Sequence, residues 1–178
     1  MKIFFSTILI ITGIACLTST AYYIWQRNTP TRLAFSVDHI DTAYHDRTTI
    51  PRELIIEDLS IRLPIIPANY TEGKWEATNQ GVSYLESSPP PGEIGNSILY
   101  GHNFPRLLGR LTKIKPGAEI VIIDNDDARH TFIVEYTSIV TPDQTHILNQ
   151  SDDKRITLYT CTGFLDSKRF VAVALLQS

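Results

Sequence analysis

Hydrophobic and polar positions change rhythm twice along this chain. Residues 3–25 carry no charged side chain. At about 1.5 Å per residue such a run covers the ~30 Å hydrocarbon core of a bilayer. Lys2 precedes the run, Tyr22, Tyr23 and Trp25 close it as an aromatic belt, and Arg27 follows. A helix packed in a soluble core would show a polar face, and here only scattered Ser and Thr interrupt the apolar surface. Residues 1–26 therefore read as a signal anchor, a single transmembrane helix. Two rival readings exist. Ser19-Thr20-Ala21 offers small residues for cleavage, and Gly13-Ile14-Ala15-Cys16 resembles a lipid-attachment box with Gly13 where a large apolar residue belongs. All three readings put the rest of the chain on the far side of a membrane.

Residues 27–50 are polar and form a stalk. Within it Leu33, Val37, Ile40 and Tyr44 fall at i, i+4, i+7 and i+11, which predicts a short amphipathic helix. Asp38, His39, Asp41, His45 and Asp46 share this stretch, and a wet helix face explains them more simply than a metal site does. From Pro51 the texture turns to β. Short apolar runs at 53–57, 60–66, 96–100, 118–123, 131–140, 155–160 and 169–176 are separated by Pro89-Pro90-Pro91-Gly92, Pro116-Gly117, Asn125-Asp126-Asp127 and Pro142-Asp143. Helical spacing shows only around Leu107, Leu108, Leu111 and Ile114. Seven or eight strands with almost no crossover helices predict a mainly β sandwich or closed barrel over residues 51–178.

Composition narrows the chemistry. With 16 Lys+Arg against 19 Asp+Glu and no basic run, nothing argues for nucleic acid. There are two cysteines, Cys16 inside the apolar run and Cys161 near the other end of the chain, so a disulfide scaffold is excluded. A free thiol of pKa about 8.5 is only about 3% thiolate at neutral pH, so a nucleophilic cysteine needs a basic or cationic neighbour.

Cys161 ends the run Ile156-Thr157-Leu158-Tyr159-Thr160, at a strand end and not in mid-strand. Arg169 opens the next strand across a short loop, and a hairpin would bring its forked, permanently charged donors close to the thiol. Of five histidines, His130 and His146 read as solvent-facing. His102 follows the apolar strand Ser97-Ile98-Leu99-Tyr100 and Gly101, again at a strand end.

These residues carry a resemblance. The segment Gly92-Glu93-Ile94-Gly95-Asn96-Ser97-Ile98-Leu99-Tyr100-Gly101-His102-Asn103 resembles the sortase stretch that runs through a PGE-x-GN turn into a strand ending in GH. Thr157-Leu158-Tyr159-Thr160-Cys161 is similar to the TLxTC motif of that family. Arg169-Phe170-Val171-Ala172-Val173-Ala174 is similar to its arginine-led last strand, and Trp75 with Gly81-Val82 to the region before the GN turn. The resemblance covers about residues 51–176 and is greatest to the compact branches labelled classes D and E.

The resemblance implies a closed eight-stranded β-barrel. It also implies a cysteine transpeptidase that cleaves an LPxTG-type C-terminal sorting signal on secreted proteins, for surface anchoring or pilus assembly. Cys161 would be the nucleophile, His102 the proton-transfer partner, Arg169 the cation at the oxyanion, and Thr160 a helper in holding the peptide. Partners would be the signal-bearing protein, an amine acceptor (a peptidoglycan precursor or a pilin lysine), and the membrane through the anchor. No cofactor is implied and no metal site is assigned. Glu93, Asp152 and Asp153 resemble calcium-binding carboxylates of some relatives, but solvated loop acids explain them as simply. The polar loop 141–154, expected to line the signal groove, has Ile147 and Leu148 as its strongly apolar side chains.

Other cysteine enzymes fit less well. Papain-like proteases place Cys before His, caspase-like ones need QACxG, and L,D-transpeptidases expect SHGC where Tyr159-Thr160-Cys161-Thr162 stands. A catalytically silent, membrane-tethered barrel that only binds is the reading from a different class.

Overall fold

The computed structural model describes residues 2–27, 33–37, 49–71 and 74–177. Helix α1 (Lys2–Arg27) holds the apolar run. Its stretch Ser6–Gln26 is long and apolar enough to cross a membrane, and none of it is buried. Ten strands follow: β1 (Pro51–Ile56), β2 (Ile61–Ala68), β3 (Tyr70–Thr71), β4 (Lys74–Trp75), β5 (Val82–Leu85), β6 (Gly95–Gly101), β7 (Glu119–Asp124), β8 (Arg129–Val140), β9 (Lys154–Thr162) and β10 (Lys168–Leu176).

Eight of these close a barrel in the order β1-β2-β5-β6-β9-β10-β8-β7, with β7 returning to β1, while β3 and β4 form a separate pair. This is the closed eight-stranded barrel that the resemblance implies. The strand missing from the expectation is β5. Its four residues include Ser83 and sit between Gly81 and a Ser-Pro-rich turn, so no alternating run marks it. The helical spacing near Leu108 becomes a 3₁₀ helix, Leu108–Lys113, whose Leu108 and Leu111 plug the barrel core.

Two strand pairs are parallel, β2 with β5 and β6 with β9, and each needs a long crossover instead of a tight hairpin. The second pairing positions the site. It sets the end of β6 beside the end of β9, although about 60 residues separate them in sequence. Along each strand alternate side chains take opposite faces. Leu99, Ile156, Leu158, Phe170, Ala172 and Ala174 point inward to a core shared with the other strands. Ile98, Tyr100, Tyr159, Cys161, Val171 and Val173 point outward into a second apolar cluster.

That outer face is covered by other parts of the chain. Ile147 and Leu148, in the 3₁₀ helix Thr145–Leu148, are buried against it, as is Trp75 from β4. Residues 33–37 lie there too, with Leu33 and Phe35 buried. They are not helical, which corrects the helix expected from the Leu33–Val37 spacing. Ile40 and Tyr44, like Asp38, His39, Asp41, His45 and Asp46, fall outside the described residues.

Candidate active site

The site is built on three adjacent strands. Cys161 of β9 pairs in register with Arg169 of β10. On its other side β9 runs parallel to β6, with Tyr100 opposite Tyr159 and Gly101 opposite Thr160. β6 and its ladder with β9 end at that pair, and His102 is the residue that follows Gly101. His102, Cys161 and Arg169 thus lie at the same end of three neighbouring strands, spaced about 4.8 Å apart, with Cys161 and Arg169 paired on one rung. All three are buried, at 3%, 2% and 3% exposure.

Each is held by its surroundings. The His102 ring stacks on Phe104 at 5.2 Å between centroids. The Arg169 guanidinium donates through Nη1 to the carbonyl oxygens of Asp166 and Lys168, both at 3.0 Å, and through Nη2 to the carbonyl of Ala34 at 2.8 Å. Its Nε has no hydrogen-bond partner among the described residues. The ring of Phe35 lies 5.9 Å from the guanidinium carbon, within range of a cation–π attraction. A planar fork that spans two sides of its cavity in this way suits arginine and not lysine.

Aromatic rings floor the site. Trp75, Tyr100, Tyr159 and Phe35 form a continuous series with centroids 5.4, 5.3 and 5.0 Å apart, and each contact contributes about 0.5–1.5 kcal/mol beyond its area. Burial pushes the Tyr159 phenol well above its ordinary pKa; Tyr100 and Cys161 add to this while Arg169 opposes it. Its hydroxyl has no hydrogen-bond partner among the described residues. Tyr100 is likewise pushed up by burial and then by Glu76, and donates to the Glu76 carbonyl at 2.5 Å.

Residues 33–37 strap this floor. Besides the Ala34 carbonyl on Arg169, the Phe35 carbonyl accepts from Trp75 Nε1 at 3.3 Å and the Val37 carbonyl from the Tyr70 hydroxyl at 2.5 Å. The Ser36 amide donates to the Pro142 carbonyl at 2.8 Å. The loop 141–153 is fixed from the other side by Asn96. Its Nδ2 donates to the carbonyls of Ile147 and Asn149, and its Oδ1 accepts from Thr157 Oγ1. Gly95 beside it has φ +120°, and a Cβ there would lie 2.6 Å from Pro89 Cγ, so only glycine fits the turn.

The loop between Cys161 and Arg169 is strained. Leu165 and Asp166 both lie in the left-handed region, at φ 54° and 59°. Each costs roughly 1 kcal/mol or more for a non-glycine residue. Asp166 Oδ1 accepts from Asn103 Nδ2 at 2.8 Å.

Other sequence candidates are placed differently. Thr160 takes the opposite face from Cys161, is buried, and spends its hydroxyl on the Gly101 carbonyl at 2.7 Å, so it joins β9 to β6. His130 is only partly solvent-facing: its half-buried ring pairs through Nε2 with Oδ2 of the buried Asp124 at 2.9 Å. His146 is exposed. Asp153 pairs with Arg155, and no group of three or more His, Cys, Asp or Glu among the described residues could hold a metal ion. Ile147 and Leu148 are buried in the outer cluster and do not line an open groove. Phe35, Asn96, Tyr159, Asn103 and Asp166 had no assigned part in the sequence reading. The period-two alternation Leu33, Phe35, Val37 is the one signal that could have pointed to an extended strap.

The Sortase domain family model matches residues 54–177. Sortase A of Bacillus anthracis is 27% identical over 130 residues, covering 71% of this chain and 59% of that protein. Sortase A of Listeria monocytogenes is 30% identical over 125 residues, covering 66% and 55%. The chain therefore spans less than two thirds of these curated relatives. Among solved structures, sortase A of Listeria monocytogenes superimposes with a TM-score of 0.59 at 25% identity, covering 71% of this chain and 86% of that one. A lid mutant of sortase A from Corynebacterium diphtheriae gives 0.64 at 24%, covering 72% and 70%. A Clostridium perfringens sortase D5 transpeptidase gives 0.61 at 23%, covering 72% and 79%. The last two likenesses speak to the fold alone.

Proposed function

Because the chain belongs to the sortase family, we propose that it is a membrane-anchored cysteine transpeptidase that cleaves an LPxTG-like sorting signal and passes the acyl group to an amine. One observation carries this reading. The strand order brings a thiol, an imidazole and a guanidinium to the same end of three neighbouring strands, from positions far apart in sequence.

The chemistry follows from that arrangement. With its thiol proton passed to His102, Cys161 Sγ attacks the carbonyl carbon after the threonine of the signal, and the carbonyl electrons move to oxygen. Arg169 donates to this oxyanion, where a fixed, partly desolvated cation is most effective. On collapse, His102 gives a proton to the departing amine, and a thioester to Cys161 remains. An incoming amine then attacks the thioester, His102 takes its proton, and the thiolate leaves. Water in place of the amine gives hydrolysis. Thr160 acts on this path by holding the end of β6 against β9, since its hydroxyl already serves Gly101. In this reading a substrate carbonyl competes with the Ala34 carbonyl for Nη2 of the guanidinium, or takes the Nε that has no partner among the described residues.

In this proposal residues 1–26 span the membrane, residues 27–50 link and partly strap, and residues 51–178 are the catalytic barrel outside the cytoplasm. The substrate is a secreted protein with a sorting signal; the acceptor is a peptidoglycan precursor or a pilin lysine. The test uses the full chain in detergent with a library of LPxTG-like peptides and amines, read by mass spectrometry. A thioester intermediate on Cys161 and a new amide product are expected from the wild type and not from Cys161→Ala. Equal product from Cys161→Ala would end the reading.

A further inference from the structure

We propose that Asp166 is a positioning residue that couples Arg169 to His102 through Asn103. The idea rests on the transpeptidase reading and adds a part to it. Three contacts carry it. The backbone oxygen of Asp166 accepts from Arg169 Nη1 at 3.0 Å. Its carboxylate accepts from Asn103 Nδ2 at 2.8 Å. Asn103 directly follows His102 at the end of β6.

β6 and β10 are not neighbours, because β9 with Cys161 lies between them. The Asn103–Asp166 bond therefore spans the three strand ends, beyond the last ladder pairs. It is a charge-assisted bond of good length in a half-buried place, stronger than a neutral one. It also opposes the strain of the loop. Two consecutive non-glycine residues at positive φ persist only where their surroundings hold them, and the side chain of Asp166 supplies one such hold. If the carboxylate lets go, the Asp166 carbonyl is free to swing from Nη1, and the guanidinium loses one of the carbonyls that aim it. At the same time the backbone after His102 loses one of its tethers, the Leu108 amide on the His102 carbonyl remaining. One side chain thus sets the spacing of the proton-transfer group and the cation on either side of the thiol, without itself touching a peptide.

The distinguishing experiment is a reciprocal swap in the full-length chain. Asp166→Asn keeps an acceptor oxygen facing Asn103 and tolerates the left-handed backbone; kcat is expected within about threefold of wild type, as for loss of charge assistance alone. Asn103→Asp sets two carboxylates face to face, and kcat should fall by about 10-fold or more with a smaller change in KM. The double variant Asn103→Asp/Asp166→Asn rebuilds the bond with donor and acceptor exchanged and should recover most of that loss. Alkylation of Cys161 by a small thiol reagent, followed across pH, should show the same loss and recovery. That readout needs no peptide, so it tests the coupling even where the wild type fails to join peptide and amine. Should Asn103→Asp not fold, Asn103→Ala serves as the broken state and is expected to show the same fall. A double variant as slow as Asn103→Asp, or a broken single variant with wild-type kcat and alkylation profile, would overturn the proposal.

Discussion

Arg169→Lys separates the catalytic role proposed for the arginine from its structural one. On sequence alone the substitution should leave folding nearly unchanged, because charge is kept and both residues suit a strand. The structure changes that expectation. Arg169 is almost fully buried and reaches the Asp166 and Lys168 carbonyls with one nitrogen and the Ala34 carbonyl with another. A lysine amine is one point on a linear stem and cannot serve both sides. Losing one charged hydrogen bond of about 1.5–3 kcal/mol gives an expected destabilisation of about 2 kcal/mol, or ~6–10 °C in Tm for a barrel of this size. A domain with at least ~5 kcal/mol of stability then remains more than 99% folded at about 25 °C, so unfolding accounts for almost none of any activity change. Turnover should nonetheless fall roughly 10²-fold or more, the cost typical of losing an oxyanion donor. Denaturant melts and transpeptidation rates would be measured side by side, with exposed Lys168→Ala as the control. Turnover within a few-fold of wild type in folded Arg169→Lys would remove Arg169 from the mechanism. An unchanged melt would refute the hydrogen-bond reading of its burial.

Phe35→Ala takes an aromatic ring from between Tyr159 and Arg169, which should loosen the strap by about 3 kcal/mol and raise the fraction of sites open to peptide. Apparent KM for a sorting peptide is expected to drop at least about tenfold, with about 150-fold as the limit that 3 kcal/mol sets; an unchanged or higher KM would show that strap and peptide do not compete. Asn96→Ala removes three side-chain hydrogen bonds and leaves the buried Thr157 hydroxyl only its long 3.4 Å contact to the Ile147 carbonyl, so denaturant unfolding should report a loss of about 3 kcal/mol. A loss under about 1 kcal/mol would mean that the loop 141–153 is held by Ile147, Leu148 and its backbone hydrogen bonds, not by the Asn96 side chain. Burial pushes the Asp124 carboxyl up, but hydrogen bonds from His130 and from the amides of Ala128 and Asp126 outweigh it and leave its pKa below the ordinary value. A carboxyl depressed in the fold stabilises above its unfolded pKa of about 3.9, and that stability is lost as pH falls through the folded value. The gap in unfolding free energy between wild type and Asp124→Asn should therefore be full at pH 6 and shrink below about pH 4; a gap independent of pH would contradict the assignment.

The barrel was legible because strands announce themselves locally. Alternation and turn residues marked β1, β2, β6, β7, β8, β9 and β10 to within a few residues, and missed β5, whose Val82–Leu85 is too short to show a period. The strand ends at His102 and Cys161 were visible for the same reason. Their adjacency came with the family resemblance alone, because a parallel pairing between β6 and β9 depends on a crossover of about 50 residues that no local pattern encodes. His130 illustrates the opposite failure. Its neighbour Arg129 suggested a wet strand end, while its partner Asp124 lies across the β7–β8 turn and draws the ring inward.

The strap shows why the remainder of the site was hidden. The last strand is apolar on both faces, Phe170, Ala172 and Ala174 toward the core and Val171 and Val173 away from it. A strand of that kind must be covered on its outer side, because an open face carrying Tyr100, Tyr159 and Val171 would leave an apolar patch in water. The demand for a cover is therefore readable in β10 itself. The supplier is not, since any nearby apolar segment could meet it. Leu33 and Val37 satisfy a helical spacing as well as an extended one, and the choice falls to partners remote in sequence: Trp75 and Tyr70 reach the carbonyls of Phe35 and Val37, and Pro142 receives the Ser36 amide. Each of these bonds needs an exposed backbone group that a helix would have used internally. The extended form wins because the barrel offers those partners, and in winning it places a backbone carbonyl on Arg169. The segment that completes the cover of the apolar face, beside Ile147, Leu148 and Trp75, is thus the same five residues that place a carbonyl on Arg169.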